Sequence, residues 1–188
     1  MTRRTWHAER DPEPARWLSC ALTASETVAS VVPTWFQAYA RLSSLPVADE
    51  LVALQDVLAR HTRTPQTCWF AMWEGHSTRA DALRGMPTFG LRGLAYYLFR
   101  GAVGDLRSLA EYLGTAGLPD HLAASAVAGG AVHVPTNWWP EDRAWVAGWH
   151  IDAAYVVVGG SAELVGELVA SSAITACAIG PTEPLAWG

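Results

Sequence analysis

The sequence predicts an α+β fold in which helices pack on one face of a mainly antiparallel sheet. Amphipathic helical stripes alternate along the chain with short, almost continuous apolar runs that are typical of buried strands. Short turns join the elements that we expect to be neighbours, as in antiparallel sheets. The 188 residues, 51% hydrophobic and 16% charged, have the composition of a globular protein. We therefore expect one globular domain over residues 15–188, preceded by a flexible arm over residues 1–14.

The first part of the chain predicts three helices and two strands. A helix is expected to begin near Pro14, since proline is favoured at the first helical position. Residues 34–42 have aromatic side chains at helical spacing, which favours a second helix there. A leucine stripe with acidic residues at its start predicts the clearest helix, over residues 48–60. Apolar runs predict buried strands over residues 67–73 and 94–99.

The second part of the chain predicts a similar mixture of elements. Asp105 is expected to cap a helix that stops at Gly114, and residues 115–135 are left unassigned. The C-terminal third is then predicted to contain, in order, a strand over residues 143–151, a strand over 155–158, a turn at Gly159 and Gly160, a helix capped by Ser161 and a strand over 174–179.

Composition and charge exclude several classes of function. The net charge is −5 and the pI about 5.6, whereas a nucleic-acid-binding surface carries a basic patch. All thirteen basic residues are arginine, so chemistry that needs a lysine, such as Schiff-base formation, is excluded. The apolar runs are shorter than the roughly 18 residues that a membrane span requires. We expect neither a nucleic-acid partner nor a membrane association.

The cysteines predict a reducing compartment. Cys20, Cys68 and Cys177 are odd in number and far apart, and no two have the Cys-x-x-Cys spacing. Such a set is typical of free thiols rather than of a disulfide framework. The arginine pair at positions 3 and 4 is not followed by an apolar segment, so no export signal is predicted. We expect a cytoplasmic protein.

A possible catalytic pair lies on the predicted strand 143–151. Successive side chains of a strand alternate between its faces, so His150 and Asp152 would share one face beside Gly148. A carboxylate orients a histidine and raises its basicity, as a general base requires. We therefore identify His150 as a candidate base, with Asp152 or Glu141 assisting it. The alternative is a half-exposed strand whose outer face is polar.

A possible ligand site lies just before that strand. Pro140 restricts the preceding residue to an extended conformation, so the indoles of Trp138 and Trp139 are expected to point in different directions. One of them could line a rim and stack on a ligand, with polar neighbours fixing its orientation. The alternative is a loop anchored by tryptophan, with solvated carboxylates. The candidate ligand-binding residues are Trp69, Trp73, Asn137, Trp138, Trp139 and Arg143.

The sequence predicts neither a metal nor a cofactor. The six histidines contain no His-Glu-x-x-His pattern, and we do not expect a zinc site. Gly159, Gly160 and Ser161 could form an anion-binding turn, but they lack the Gly-x-Gly-x-x-Gly spacing. A plain turn with a serine cap is therefore the favoured interpretation.

Four segments resemble a group of uncharacterised single-domain proteins from GC-rich soil bacteria. The matching segments cover residues 35–41, residues 61–65 with 68–75, residues 139–145 and residues 155–161. They are spread over most of the chain, so the resemblance is to a whole domain. It implies a single cytoplasmic domain and assigns no reaction.

Three functions are compatible with these patterns. The first is a small domain whose aromatic cleft binds a planar or apolar small molecule. The second is a cofactor-independent enzyme, acting in secondary metabolism, that uses the His150/Asp152 pair. The third is an immunity or antitoxin-like module that binds a protein partner through exposed tryptophans.

Overall fold

The computed structural model describes residues 5–77, 83, 85–115 and 133–185. Over these residues, nine strands form one sheet with the order β1-β5-β3-β6-β7-β8-β2-β9, and β4 pairs with β5 beside this path. Every pairing is antiparallel. The strands are β1 (His7–Ala8), β2 (Ala38–Leu42), β3 (Cys68–Trp73), β4 (Phe89–Leu91), β5 (Leu94–Gly101), β6 (Asn137–Pro140), β7 (Val146–Gly148), β8 (Val157–Gly160) and β9 (Ala176–Ile179). The predicted α+β class with a mainly antiparallel sheet is confirmed.

Three helices cover one face of the sheet and form a core with it. The leucine stripes of α2, α4 and α5 pack there against Phe70, Trp138 and Trp145. The predicted helix over residues 48–60 is confirmed, and the helices predicted near Pro14 and after Asp105 are present with shifted bounds. The helices are α1 (Arg16–Ala21), α2 (Ala48–Arg60), α3 (Glu74–Ser77), α4 (Leu106–Thr115) and α5 (Ala162–Ala170).

The other face of the sheet is covered by α1 and the irregular segment that follows it. Leu18 of α1 and Val31 of this segment are fully buried against Trp69 and Trp139. The central strands are therefore buried on both faces, which explains why they appear in the sequence as continuous apolar runs.

The helix predicted over residues 34–42 is wrong, because its second half forms β2. Tyr39 packs into the core beneath α1, whereas Ala40 and Leu42 pack into the core beneath the long helices. This alternation has the period of a strand. Trp35 contributes to the apparent helical spacing, but it lies before the strand and its side chain is exposed.

The turn predicted at Gly159 and Gly160 is also wrong, because both residues pair with β2 as part of β8. A Cβ on Gly159 would stand 2.5 Å from Cγ1 of Val32. Close packing against the sheet therefore explains this glycine. Ser161 caps α5 as predicted, since its Oγ accepts a hydrogen bond from the backbone N–H of Leu164 at 3.2 Å.

The remaining strand predictions differ in their bounds. Of the strand predicted over residues 143–151, only Val146–Gly148 is in the sheet. The strands predicted over residues 155–158 and 174–179 are present as β8 and β9. Most of residues 115–135, which the sequence leaves unassigned, lie outside the described residues.

Residues 5–8 are packed against the sheet, so the flexible arm expected over residues 1–14 is wrong for this part. Trp6 is 7% exposed, and its Nε1–H donates to Oγ of Ser108 at 3.1 Å. His7 and Ala8 pair with β5. Residues 1–4 lie outside the described residues.

Asp142 connects the turn between β6 and β7 to the loop that follows α2 by hydrogen bonds. Its carboxylate is 9% exposed and accepts hydrogen bonds from Oγ1 of Thr62 at 2.7 Å and from the backbone N–H of Arg63 at 2.8 Å. Burial opposes ionisation of this carboxyl, but the hydrogen bonds outweigh burial and lower its pKa. Asp142 is therefore a structural carboxylate and not a solvated one.

In the described part of the chain, no helix combines the length and the apolar character needed to cross a bilayer.

Candidate functional site

Arg92 occupies a strained position at the tip of the hairpin formed by β4 and β5. Leu91 pairs with Leu94, which leaves Arg92 and Gly93 as a two-residue turn. Both have positive φ, 54° and 77°, as a type I′ turn requires. Glycine adopts this conformation freely, whereas a residue with a side chain is strained by about 1 kcal/mol. Such strain is often found at functional sites.

The guanidinium of Arg92 points inward and is only partly satisfied. Its Nη2 donates to the hydroxyl of Tyr96 at 3.1 Å and to Oδ1 of Asn137 at 3.4 Å, and its Nη1 donates to the carbonyl of Ser30 at 3.4 Å. All three bonds are longer than the usual 2.9–3.0 Å or so, two of them by about 0.4 Å. Nε is buried without a hydrogen bond, and no carboxylate among the described residues lies within ion-pair distance.

Asn137, in β6, supports the guanidinium of Arg92. It is fully buried, and its Nδ2 donates to the carbonyl of Val31 at 2.8 Å while its Oδ1 accepts from Arg92. Gly148, on the neighbouring strand, leaves the space that the amide needs. A Cβ at position 148 would stand 2.2 Å from Nδ2 of Asn137 and 2.5 Å from the carbonyl oxygen of Val31.

Arg92 lines an open cleft of about 680 Å³ on the face of the sheet that α1 covers. This volume is typical of sites for small organic molecules. The cleft combines apolar walls with hydroxyl groups and a few charges. Its lining consists of Leu22, Ala24 and Leu91, the hydroxyl residues Ser19, Thr23, Ser25 and Ser30, and the titratable residues Glu26, Arg92, His150 and Asp152.

His150 and Asp152 are brought together in this cleft, by a turn and not by the predicted strand. Nδ1 of His150 accepts the backbone N–H of Asp152 at 3.2 Å and lies 3.5 Å from its Oδ2. The neutral ring therefore carries its proton on Nε2. Asp152 itself is 70% exposed.

The basicity of His150 differs from our expectation. Burial lowers its pKa below the ordinary value, and the guanidinium of Arg92 lowers it further, while Asp152 only partly opposes both. Asp152 raises the basicity of this histidine as predicted, but burial and Arg92 outweigh its effect, so the net pKa is lowered. At neutral pH the imidazole is uncharged.

Glu141, the third candidate catalytic residue, borders a different cavity. It accepts a hydrogen bond from Nε1–H of Trp69, and both residues border a cavity of about 310 Å³ together with Trp139 and Arg143. This smaller cavity shares no lining residue with the cleft. The guanidinium of Arg143 lies 4.5 Å from the ring centre of Trp17.

The predicted tryptophan rim is absent from the cleft. Trp138 and Trp139 belong to β6 and point to opposite faces of the sheet, which confirms that the indoles diverge. Trp138 is 0% exposed and lies wholly in the core, and Trp139 is 1% exposed. Trp73 is half-buried beside the core that contains Trp139. Of the six candidate ligand-binding residues, Asn137 is the one that contacts Arg92.

The residue that the sequence analysis missed is Arg92. The one signal that could have identified it is Gly93 between two apolar segments, since glycine is favoured at the second position of a two-residue hairpin turn, whereas arginine is not typical of the first. Trp35 is the exposed tryptophan that bears on the partner-binding hypothesis. It is 60% exposed, and its ring centre lies 6.1 Å from that of Trp17.

Comparisons with known proteins and a survey for metal ligands add no assignment. Within residues 5–77, 83, 85–115 and 133–185, no three His, Cys, Asp or Glu side chains form a group that could hold a metal ion. No protein family, curated protein or solved structure matches the chain. The site is therefore interpreted from its own geometry.

Proposed function

We propose that this protein is a small-molecule-binding domain whose ligand carries a carboxylate and an apolar body. The binding site is the cleft at Arg92, in place of the tryptophan-lined rim suggested by the sequence. The observation that carries the proposal is the guanidinium of Arg92, which points inward from a strained backbone position and has no carboxylate partner among the described residues.

A carboxylate is the group that best complements this guanidinium. Nη2 already donates to Tyr96 and Asn137, but Nη1 has a second N–H, beyond the one given to Ser30, that can donate to a carboxylate oxygen. The neutral contacts of Arg92 leave its charge uncompensated, so a bound anion would gain a charge-assisted hydrogen bond in a partly desolvated site. Leu22 and Leu91 supply apolar surface for the rest of the ligand.

Replacement of Arg92 by glutamine is expected to weaken carboxylate binding about 100-fold, because a charge-assisted hydrogen bond and the positive charge that strengthens it are both lost. The measurement is calorimetric titration with 4-methylpentanoate and 3-phenylpropanoate, each beside its primary amide as a neutral control. Arg63→Gln is the matched protein control, since that side chain is 93% exposed. Equal affinities for acid and amide, or equal affinities of wild type and Arg92→Gln, would contradict the proposal.

A second candidate function is a cofactor-independent enzyme with His150 as the base. Its support is the position of His150 in the same cleft and the uncharged state of its imidazole at neutral pH. A base must be unprotonated, so kcat/KM is expected to fall as the pH drops through the lowered pKa of His150, below about 6.5. With turnover of the bound carboxylate followed by NMR, we expect His150→Gln to be inactive. His7→Gln, a substitution at a side chain that is 59% exposed, should retain the turnover. Turnover that persists in His150→Gln would end this alternative.

We also propose a cytoplasmic location. The three cysteines are free, and Cys20 and Cys177 are exposed, which suits a compartment that keeps thiols reduced. Quantifying these thiols with a thiol reagent in rapidly quenched host cells tests this placement. A predominantly oxidised population would contradict it.

A further inference from the structure

We infer that the ligand of the Arg92 cleft is an amino carboxylate, a molecule that carries an ammonium group as well as a carboxylate. This inference rests on the proposed function, because the carboxylate of the ligand is assigned to Arg92. It adds a second recognition element in the same cleft, formed by Glu26, Asp152 and the hydroxyls of Ser19 and Ser30.

The charges that line the cleft favour a ligand with both signs. Arg92 contributes one positive charge, whereas Glu26 and Asp152 contribute two negative charges at exposed positions, and the imidazole of His150 is neutral. A simple monocarboxylate would therefore gain at Arg92 but would be repelled by the two carboxylates that line the same cleft. An ammonium group on the same molecule converts that repulsion into attraction.

The hydroxyl groups of the cleft present acceptors more than donors. The Oγ–H of Ser19 donates to the carbonyl of Gly90 at 2.7 Å, and the Oγ–H of Ser30 donates to the carbonyl of Thr27 at 2.8 Å. Each hydroxyl has one proton and two lone pairs, so both serine oxygens keep lone pairs that can accept. An ammonium group has three donors and no acceptor, which complements such a surface.

The donors of the cleft complement the carboxylate of such a ligand. The guanidinium of Arg92 carries only donors. The cleft thus combines a donor group centred on Arg92 with an acceptor group centred on Ser19, Ser30, Glu26 and Asp152. A ligand with a carboxylate and an ammonium group satisfies both, and Leu22 and Leu91 would contact an apolar side chain.

The test compares three compounds that share one carbon skeleton: leucine, 4-methylpentanoate, which lacks the ammonium group, and 3-methylbutylamine, which lacks the carboxylate. Phenylalanine, 3-phenylpropanoate and 2-phenylethylamine form a second set. Calorimetry on the wild type is expected to show that an amino acid binds at least about 10-fold more tightly than its matched acid, since one charged hydrogen bond is worth about this factor. The amines are expected to bind more weakly than both.

The protein variants separate the two recognition elements. The double variant Glu26→Gln/Asp152→Asn is expected to reduce the preference for the amino acid over the acid to less than about threefold. Asp11→Asn/Glu13→Gln, on exposed residues outside the cleft, is the matched control and should leave the preference unchanged. In the Arg92→Gln variant, the amino acid and the acid should both bind about 100-fold more weakly than in the wild type.

The outcomes distinguish this inference from the proposed function. If the acid binds to the wild type as tightly as the amino acid, or if the double variant keeps the full preference, the inference is overturned while carboxylate binding at Arg92 stands. If neither the acids nor the amino acids bind, or if Arg92→Gln binds them as well as the wild type does, the proposed function itself is overturned.

Discussion

Gly148→Ala is expected to lower the free energy of unfolding by about 3 kcal/mol. The new Cβ would stand 2.2 Å from Nδ2 of Asn137 and 2.5 Å from the carbonyl oxygen of Val31, both far inside van der Waals contact. Neither atom can move freely, because Asn137 is fully buried in β6 and the two atoms hydrogen-bond to each other at 2.8 Å. Relief of the clash requires that this buried hydrogen bond be broken.

The measurement is chemical denaturation followed by circular dichroism, with Gly166→Ala as the matched control. Gly166 lies in α5, and a Cβ there would meet no atom within 4 Å. The control is expected to gain about 0.5–1 kcal/mol, because alanine has the higher helix propensity. A Gly148→Ala variant as stable as the wild type would contradict the packing described beneath Arg92.

Trp138→Ala is expected to lower the free energy of unfolding by about 3–5 kcal/mol, the usual effect of removing a fully buried tryptophan. The side chain is 0% exposed and packs in the core beneath α2, α4 and α5. Because it lies outside the cleft, the remaining folded protein should bind its carboxylate ligand with unchanged affinity. Binding that is lost while stability is unchanged would instead favour the tryptophan-lined site suggested by the sequence.

A pair of phenylalanine variants refines this prediction. The indole N–H of Trp138 makes no hydrogen bond, whereas that of Trp145 donates to the carbonyl of Leu58 near the C-terminus of α2 at 2.9 Å. Trp145→Phe removes this hydrogen bond, and the carbonyl keeps only the backbone N–H of His61 at 3.2 Å, so the substitution is expected to cost about 1 kcal/mol more than Trp138→Phe. Equal costs measured by denaturation would contradict this assignment of the two indoles.

Much of the fold follows from local patterns in the sequence. The helix over residues 48–60 is recognisable because a leucine stripe and acidic first-turn residues agree with each other. The strand Cys68–Trp73 is recognisable because it is buried on both faces and so apolar throughout. Residues 34–42 mislead because a few aromatic positions fit a helix, while long-range pairing of β2 with β8 and β9 decides the structure.

The candidate site is harder to predict because its parts come from distant segments. Ser30, Arg92, Asn137 and His150 are far apart in sequence and meet only when the sheet is formed. His150 and Asp152 could be paired from their spacing alone. The lowered pKa of His150 could not be predicted from the sequence, because it depends on burial and on the guanidinium of Arg92.

The most direct test of carboxylate binding at Arg92 is native mass spectrometry of the wild type and Arg92→Gln. Both proteins are incubated with the same small-molecule extract of the host and exchanged into volatile buffer in parallel. We expect the wild type to retain a small organic acid, identifiable by its mass after release, and Arg92→Gln to retain none. Equal retention by both proteins, or no retention by the wild type, would contradict it.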